Sequence, residues 1–292
     1  MPDKPFAVLT DSACDLPYDL AEQSPVDILS FGISLDGKAY SERVDFNFDQ
    51  YYDLLRNSQG LPSTSHIPLP RYLLQFEDYD AAGIEEVLYV SINAGGSNTH
   101  DAAVLAAKRF HQLHPESKMR IHVVDSHAYS MAYGWYVVEA ARKLEKGASM
   151  DTVVAWLEDV FRRVEIVLGA FSLKFMKKSG RISAAAAFAG ELLGLRPIVS
   201  LNDGVSVVQR KVRGDKDVLP ALLDHAAQRM VHPPEYMVGG TDQAIMDDLA
   251  ARCEKRFGVP PLSIFKLGSA VASNTGPDAI AIVFMGERRA RP

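Results

Sequence analysis

Short apolar runs alternate along the chain with longer stretches in which apolar residues recur every three or four positions. The runs at 6–10, 87–91 and 121–125 have the length and composition of buried parallel strands. Between them Ala102, Ala103, Leu105, Ala106 and Phe110 recur at helical spacing behind a polar start, and residues 131–144 repeat the arrangement behind Ser130. Strands alternating with helices are the pattern of crossover units on a parallel sheet, so the first half predicts an α/β layer. From about residue 164 the texture changes. Strand candidates at 165–171, 196–201, 205–210, 236–241, 262–267 and 279–285 are punctuated by two helical stretches, 217–231 and 242–257. Asn202-Asp203-Gly204 predicts a hairpin between two of these strands, because Asp-Gly accepts the positive φ angles of tight turns. The second half therefore predicts a mixed sheet with helices packed on it. No Gly/Ser-rich or Pro-rich linker separates the halves. The division is placed near residue 163, giving domains 1–163 and 164–292, with the segment 58–70 as a candidate crossover between them.

Composition narrows the class. A chain of 292 residues with 47% hydrophobic and 23% charged residues has ample material for a core and exceeds one average domain. A formal net charge of −6 argues against a nucleic-acid surface, which needs a concentrated Lys/Arg stripe to neutralise phosphates. The basic run Arg288-Arg289-Ala290-Arg291 reads as a solvated terminus. Cys14 and Cys253 stand far apart without a Cys-x-x-Cys spacing or a histidine partner, which suggests reduced thiols in a cytoplasmic protein and no zinc site. The first residues lack the basic start and apolar core of a secretory signal, and the Ala-rich stretch 182–195 is too short and too broken by Gly190, Glu191 and Gly194 to span a bilayer. These features predict a soluble protein.

Several segments carry potential chemistry. Asp11-Ser12 and Asp125-Ser126 each follow a strand, where the carboxyl ends of a parallel sheet meet ligands. Asp15 is read as the cap of a helix entered at Leu16-Pro17. Paired aspartates could hold a divalent metal, but no dense ligand spacing supports that. Residues 91–100 form a strand, a turn with Gly95 and Gly96, and a helix start; this is either a cradle of backbone amides for an anion or a plain tight turn. It lacks the third glycine of a dinucleotide fingerprint. Thr64 and Ser65 offer hydroxyl donors in a loop bounded by Pro62 and Pro68. Arg181, beside Gly180 in Lys177-Lys178-Ser179-Gly180-Arg181-Ile182, suits bidentate contact with a carboxylate or phosphate, or else neutralises a helix end. Asn274-Thr275-Gly276-Pro277 adds an amide and a hydroxyl.

Taken in order, Leu9-Thr10-Asp11-Ser12-Ala13-Cys14-Asp15-Leu16-Pro17, Pro62-Ser63-Thr64-Ser65, the glycine turn at 91–99, Lys177 to Ser183 and Asn274-Thr275-Gly276-Pro277 resemble the DegV family of fatty-acid-binding proteins over nearly the whole chain. The resemblance implies a two-domain α/β fold with a lipid cleft between the domains. It implies a carboxylate-binding face of Thr64, Ser65, Gly95, Gly96, Ser97, Asn274 and Thr275, with Arg181 handling phosphate or a kinase partner. It further implies a long-chain fatty acid as ligand, no cofactor, a separate ATP-binding fatty acid kinase subunit as partner, and transient membrane contact. Two positions depart from the family pattern: Gly95 stands where relatives carry a serine that holds the carboxylate, and Asn274 stands where they carry a histidine linked to phosphotransfer. No Gly-x-x-x-x-Gly-Lys-Ser/Thr loop is present, so the chain is expected not to be a kinase by itself. The rival readings are a hydrolase or transferase built on Asp11, Asp125 and one of His66, His100 or His127, and a lipid-responsive regulatory module.

Overall fold

The computed structural model describes residues 6–171, 174–180 and 194–290. Arg181 and the Ala-rich stretch that follows it lie outside the described residues. In the first half, β1 (Phe6–Asp11), β2 (Asp27–Leu29), β6 (Glu86–Ser91) and β7 (Arg120–Asp125) form a wholly parallel sheet in the order β2-β1-β6-β7. Thr10 pairs with Val90 and Ser91 with Asp125, so Asp11, Ser91 and Asp125 stand level at the carboxyl edge. Val87 through Ser91 are all buried, as a strand covered on both faces must be. Helix α3 (Leu69–Ala81) reaches this sheet through Tyr72 against Tyr89 and packs on α4 (Thr99–Leu113) through Phe76 and Phe110.

The second half folds into a six-stranded mixed sheet. Its strands are β8 (Val164–Ala170), β9 (Leu195–Asn202), β10 (Val205–Arg213), β11 (Tyr236–Gly240), β12 (Ile264–Lys266) and β13 (Ala279–Met285), in the order β10-β9-β8-β13-β11-β12. Every residue of β8 is buried, and successive residues enter different cores. Ile166 and Leu168 join the core that extends from the parallel sheet, while Val167 joins Ile280, Ile282 and Phe284 under α8 (Val218–Arg229) and α9 (Gln243–Phe257). Helix α5 (Met131–Glu145) contacts β1 as well as β8 and β13, so it is the layer shared by the two sheets. The expected hairpin forms: Asn202 pairs with Val205, and Asp203 and Gly204 take φ angles of 50° and 76°.

Three expectations are corrected. Thr64 and Ser65 do not lie in a loop; β5 (Ser63–Ser65) pairs with β3 (Gly32–Leu35), which pairs in turn with β4 (Lys38–Ser41) in a small antiparallel sheet. That sheet was signalled by Asp36-Gly37, the same turn chemistry as Asp203-Gly204, with φ angles of 49° and 75°. Its apolar face packs with Tyr51 and Tyr52 of α2 (Phe48–Asn57) and with Ala272 of α10 (Ser269–Thr275). Asp15 does not cap α1. Pro17 occupies the cap position of α1 (Tyr18–Glu22), while Asp15 sits two residues earlier in a left-handed conformation, fully buried. Arg289 is not part of a solvated terminus: its side chain is only 16% exposed and hydrogen-bonds to Asp203 and to the carbonyls of Phe161, Arg163 and Val164. No helix among the described residues is long and apolar enough to cross a membrane.

The shared layer depends on a close approach of α5 to the loop after β1. A Cβ at Gly134 would overlap the Cys14 carbonyl oxygen, a backbone atom that cannot swing aside. Gly134→Ala is therefore expected to cost about 1–3 kcal/mol despite alanine's better helix propensity. Urea unfolding of the two proteins measures it; an unchanged or raised midpoint would show that α5 is free to retreat.

Candidate ligand-binding site

Helix α10 is held at its start by two buried carboxylates from the first half of the chain. Ala270 N donates to Glu42 Oε1 at 2.8 Å, and Asp15 Oδ1 lies against Gly268 without a hydrogen-bond partner of its own among the described residues. Ser12 Oγ donates to Glu42 Oε2 at 2.5 Å, and Ser130 Oγ donates to Asp15. Burial pushes both carboxyl groups above the ordinary carboxylate range, and the Glu42 charge raises Asp15 further. The arrangement places two carboxyl groups at a helix N-terminus, whose unpaired amides are matched to carboxyl oxygens. Two hydroxyls fix the rest of the segment: Tyr51 bonds Ser273, and Tyr52 donates to the Leu267 carbonyl. Asn274 and Thr275 are thereby delivered to one place. Asn274 Nδ2 gives one hydrogen to Ala270 O at 2.7 Å, leaving its second as a donor, while Thr275 Oγ1 bonds back to Val271 O at 3.2 Å.

The turn between β6 and α4 is organised by Asn93, which is 2% exposed. Its Oδ1 accepts from Gly95 N at 3.2 Å and its Nδ2 donates to Tyr129 Oη at 2.8 Å. Gly96 N donates to Asn93 O at 3.0 Å and Ala94 N to Asp125 Oδ1 at 3.1 Å. The amides of Ala94, Gly95 and Gly96 are thus spent inside the turn, and the expected anion cradle of backbone N–H groups is not what this turn offers. Ser97 Oγ pairs with Thr99 Oγ1 at 2.8 Å and accepts from Thr99 N, an Ser/Thr turn at the helix start.

These segments converge. A cavity of about 730 Å³ is lined by all seven residues assigned from sequence, namely Thr64, Ser65, Gly95, Gly96, Ser97, Asn274 and Thr275. Ala13, Phe31, Ile92, Leu201 and Val271 supply apolar wall, and Ser179, Gly180 and Gly204 also line it. The volume falls in the roughly 300–1,000 Å³ range of small-molecule sites. The hydroxyls of Thr64 and Ser65 make no hydrogen bond to the described residues and so remain donors. A second, smaller cavity of about 120 Å³ shares Thr64, Ser179 and Asn274 and adds Lys178. Sequence reasoning missed Tyr129 and Asn93. The signal for Asn93 was its place one residue into a glycine turn, where asparagine bonds the backbone two residues on.

The hydrolytic constellation is not assembled. Asp11 is fully buried and accepts from Tyr133 Oη at 2.6 Å, Ile92 N at 2.8 Å, Tyr89 Oη at 3.2 Å and Ala13 N at 3.2 Å, so it fixes the cavity floor. Asp125 lies two strands away, about 10 Å by sheet spacing, and its carboxylate serves Ala94 N, His127 N and His127 Nδ1. His100 Nδ1 bonds Ser91 Oγ at 3.0 Å; of the three histidines only His66 lines the cavity. Among the described residues no group of three His, Cys, Asp or Glu side chains is placed to hold a metal ion.

Comparison with known proteins places this architecture. The family model described as "Uncharacterised protein, DegV family" matches residues 5–287. A DegV domain-containing protein of Clostridium perfringens is 28% identical over 292 residues, covering 98% of this chain and 99% of its own. Among solved structures, a DegV family protein of Thermus thermophilus described by its fatty-acid binding is 27% identical with a TM-score of 0.80, covering 97% of this chain and 99% of its own. A stearic-acid-binding protein of Eubacterium ventriosum is 24% identical with a TM-score of 0.87, covering 96% and 98%, and shares the fold.

Burial drives the Asp11 pKa from 3.8 up to about 6, against the pull of its donors Tyr133, Ile92, Tyr89 and Ala13. The folded state then holds this proton more tightly than the unfolded state, so its stabilising share is complete below pH 4 and lost as pH rises through 6. The shift corresponds to about 3 kcal/mol. Relative to Asp11→Asn, which cannot ionise, the native protein should lose stability by that order between pH 4 and 6.5 in chemical denaturation. A pH-independent difference between the two would assign Asp11 an ordinary pKa.

Proposed function

Because the chain belongs to the DegV family, we propose that it binds one long-chain fatty acid in the 730 Å³ cavity with the carboxyl group at the Thr64, Ser65 and Asn274 end. The observation that carries this reading is the convergence of donors from β5 and α10, beside the closely packed β6–α4 turn, on one cavity with an apolar wall. The tail supplies the driving force. Burying a sixteen-carbon chain at about 0.8 kcal/mol per methylene gives on the order of 10 kcal/mol before ordering losses. The donors orient the head. The cavity sits between elements of 1–163 and elements of 164–292, the two units into which we divide the chain. In this reading the protein is a cytoplasmic carrier without a cofactor. It presents the carboxyl group to a separate ATP-binding kinase subunit, with Arg181 on the phosphate, and acts non-catalytically.

Extraction of the purified protein followed by mass spectrometry should find about one acyl chain per molecule, the occupancy of a single buried tail site. A protein that yields no lipid and takes up neither palmitate nor oleate would overturn the carrier reading.

The two departures from the family pattern separate binding from transfer. Gly95 is exposed, and a Cβ there would meet Asn93 Nδ2 at an ordinary 3.4 Å, so Gly95→Ser fits and should tighten fatty-acid binding by roughly 1 kcal/mol through one added hydroxyl. Asn274 cannot titrate near neutrality, so Asn274→His should leave binding near native and raise the initial rate of acyl phosphate formation by about 10²-fold. Efficient phosphorylation of the native protein with no gain from histidine would show that the amide suffices.

A further inference from the structure

Arg289 stands far from the cavity in sequence and joins it through a continuous chain of contacts. Its Nε donates to Asp203 Oδ2 at 2.7 Å, while Nη1 and Nη2 donate to the carbonyls of Arg163, Phe161 and Val164 at 3.0–3.2 Å. The main chain is fixed as well, with Arg289 N donating to Arg162 O at 2.8 Å and Arg288 Nε to Asp159 Oδ1 at 2.6 Å. The guanidinium therefore ties the β9–β10 turn to the start of β8, using the fork geometry that lets one arginine serve several acceptors.

The tied turn bears on the ligand site. Gly204 follows Asp203 and lines the cavity, and it lies so close to Asn93 that a Cβ there would come within 2.5 Å of Asn93 Oδ1. Asn93 in turn holds Gly95 N and Tyr129 Oη, and Tyr129 packs against Gly96, where a Cβ would meet its hydroxyl at 2.6 Å. Gly95, Gly96, Tyr129 and Gly204 are all cavity wall. We propose that Arg289 is a positioning residue for the ligand site: it clasps the Asp203-Gly204 turn against Asn93 and so sets how long the cavity retains its occupant. This rests on the fatty-acid reading for the identity of the occupant, but the clasp itself is a property of the protein alone.

Two arms test it with Arg289→Ala, Arg289→Lys and Asp203→Asn, the last keeping a side chain that tolerates the left-handed turn position. In ligand-free protein, hydrogen exchange at residues 92–98 should rise in Arg289→Ala and Asp203→Asn. In protein loaded with a fluorescent fatty acid, release to acceptor vesicles should speed up about fivefold or more in both, with the double variant no faster than either single, and with a smaller effect in Arg289→Lys. A purely structural role would lower the melting temperature and leave the release rate unchanged, which overturns the proposal. Unchanged exchange at 92–98 in a folded variant overturns it too. If the native protein takes up no fatty acid, the carrier reading fails while the exchange arm still decides the clasp.

Discussion

The ligand site depends on one interaction, the seating of the amide end of α10 against Asp15 and Glu42. A seven-residue helix is too short to be stable by its own hydrogen bonds, so its position must come from tertiary contacts. Two fully buried carboxyl groups supply them, and the desolvation they suffer is offset by Ser12, Ser130 and the Ala270 amide. The carboxylates come from the loops after β1 and β4, whereas α10 lies between β12 and β13. The polar cluster therefore fixes the first half of the chain against the second at the one place where Asn274 and Thr275 must meet Thr64 and Ser65.

The same logic recurs around the cavity. Acidic groups near it are committed to the protein: Asp11 to the amides of Ala13 and Ile92, Asp125 to those of Ala94 and His127, and Asp203 to the Arg289 guanidinium. Carboxylates used this way shape walls and do not face a ligand. Among the described residues the wall they leave is largely apolar side chains, glycines and polar uncharged groups, the composition on which the fatty-acid proposal rests.

How much of this was legible in sequence follows from the range of the interactions. Strand and helix periodicity is local, and the parallel layer, the mixed sheet and the Asp203-Gly204 hairpin were read from it. The small sheet escaped because β4 and β5 are four and three residues long, too short for alternation to register, although Asp36-Gly37 carried the turn signal. Asp15 looked like a cap because Asp before Leu-Pro has that local logic; its true neighbours, Ser130 and Gly268, are more than a hundred residues away. Arg289 looked solvated for the same reason, since a basic terminal run gives no hint of an acceptor at Asp203, 86 residues away. The seven cavity residues were found only through family resemblance, and the internal use of the Gly95 and Gly96 amides is visible only once Asn93 is placed.

That internal use changes what the headgroup face can do. With the turn amides spent, the donors that the described residues turn toward the cavity include the hydroxyls of Thr64 and Ser65, the second hydrogen of Asn274 and the His66 ring. The hydroxyls and the Asn274 amide carry no charge near neutral pH, whereas a histidine in the place of Asn274 would titrate there. In the carrier reading proposed above, such a face orients a carboxylate, and the phosphoryl group falls to Arg181 and the partner. On that same proposal, a partner that supplies the nucleotide complements a cavity whose nearby acids Asp11 and Asp125 are engaged in holding its walls together.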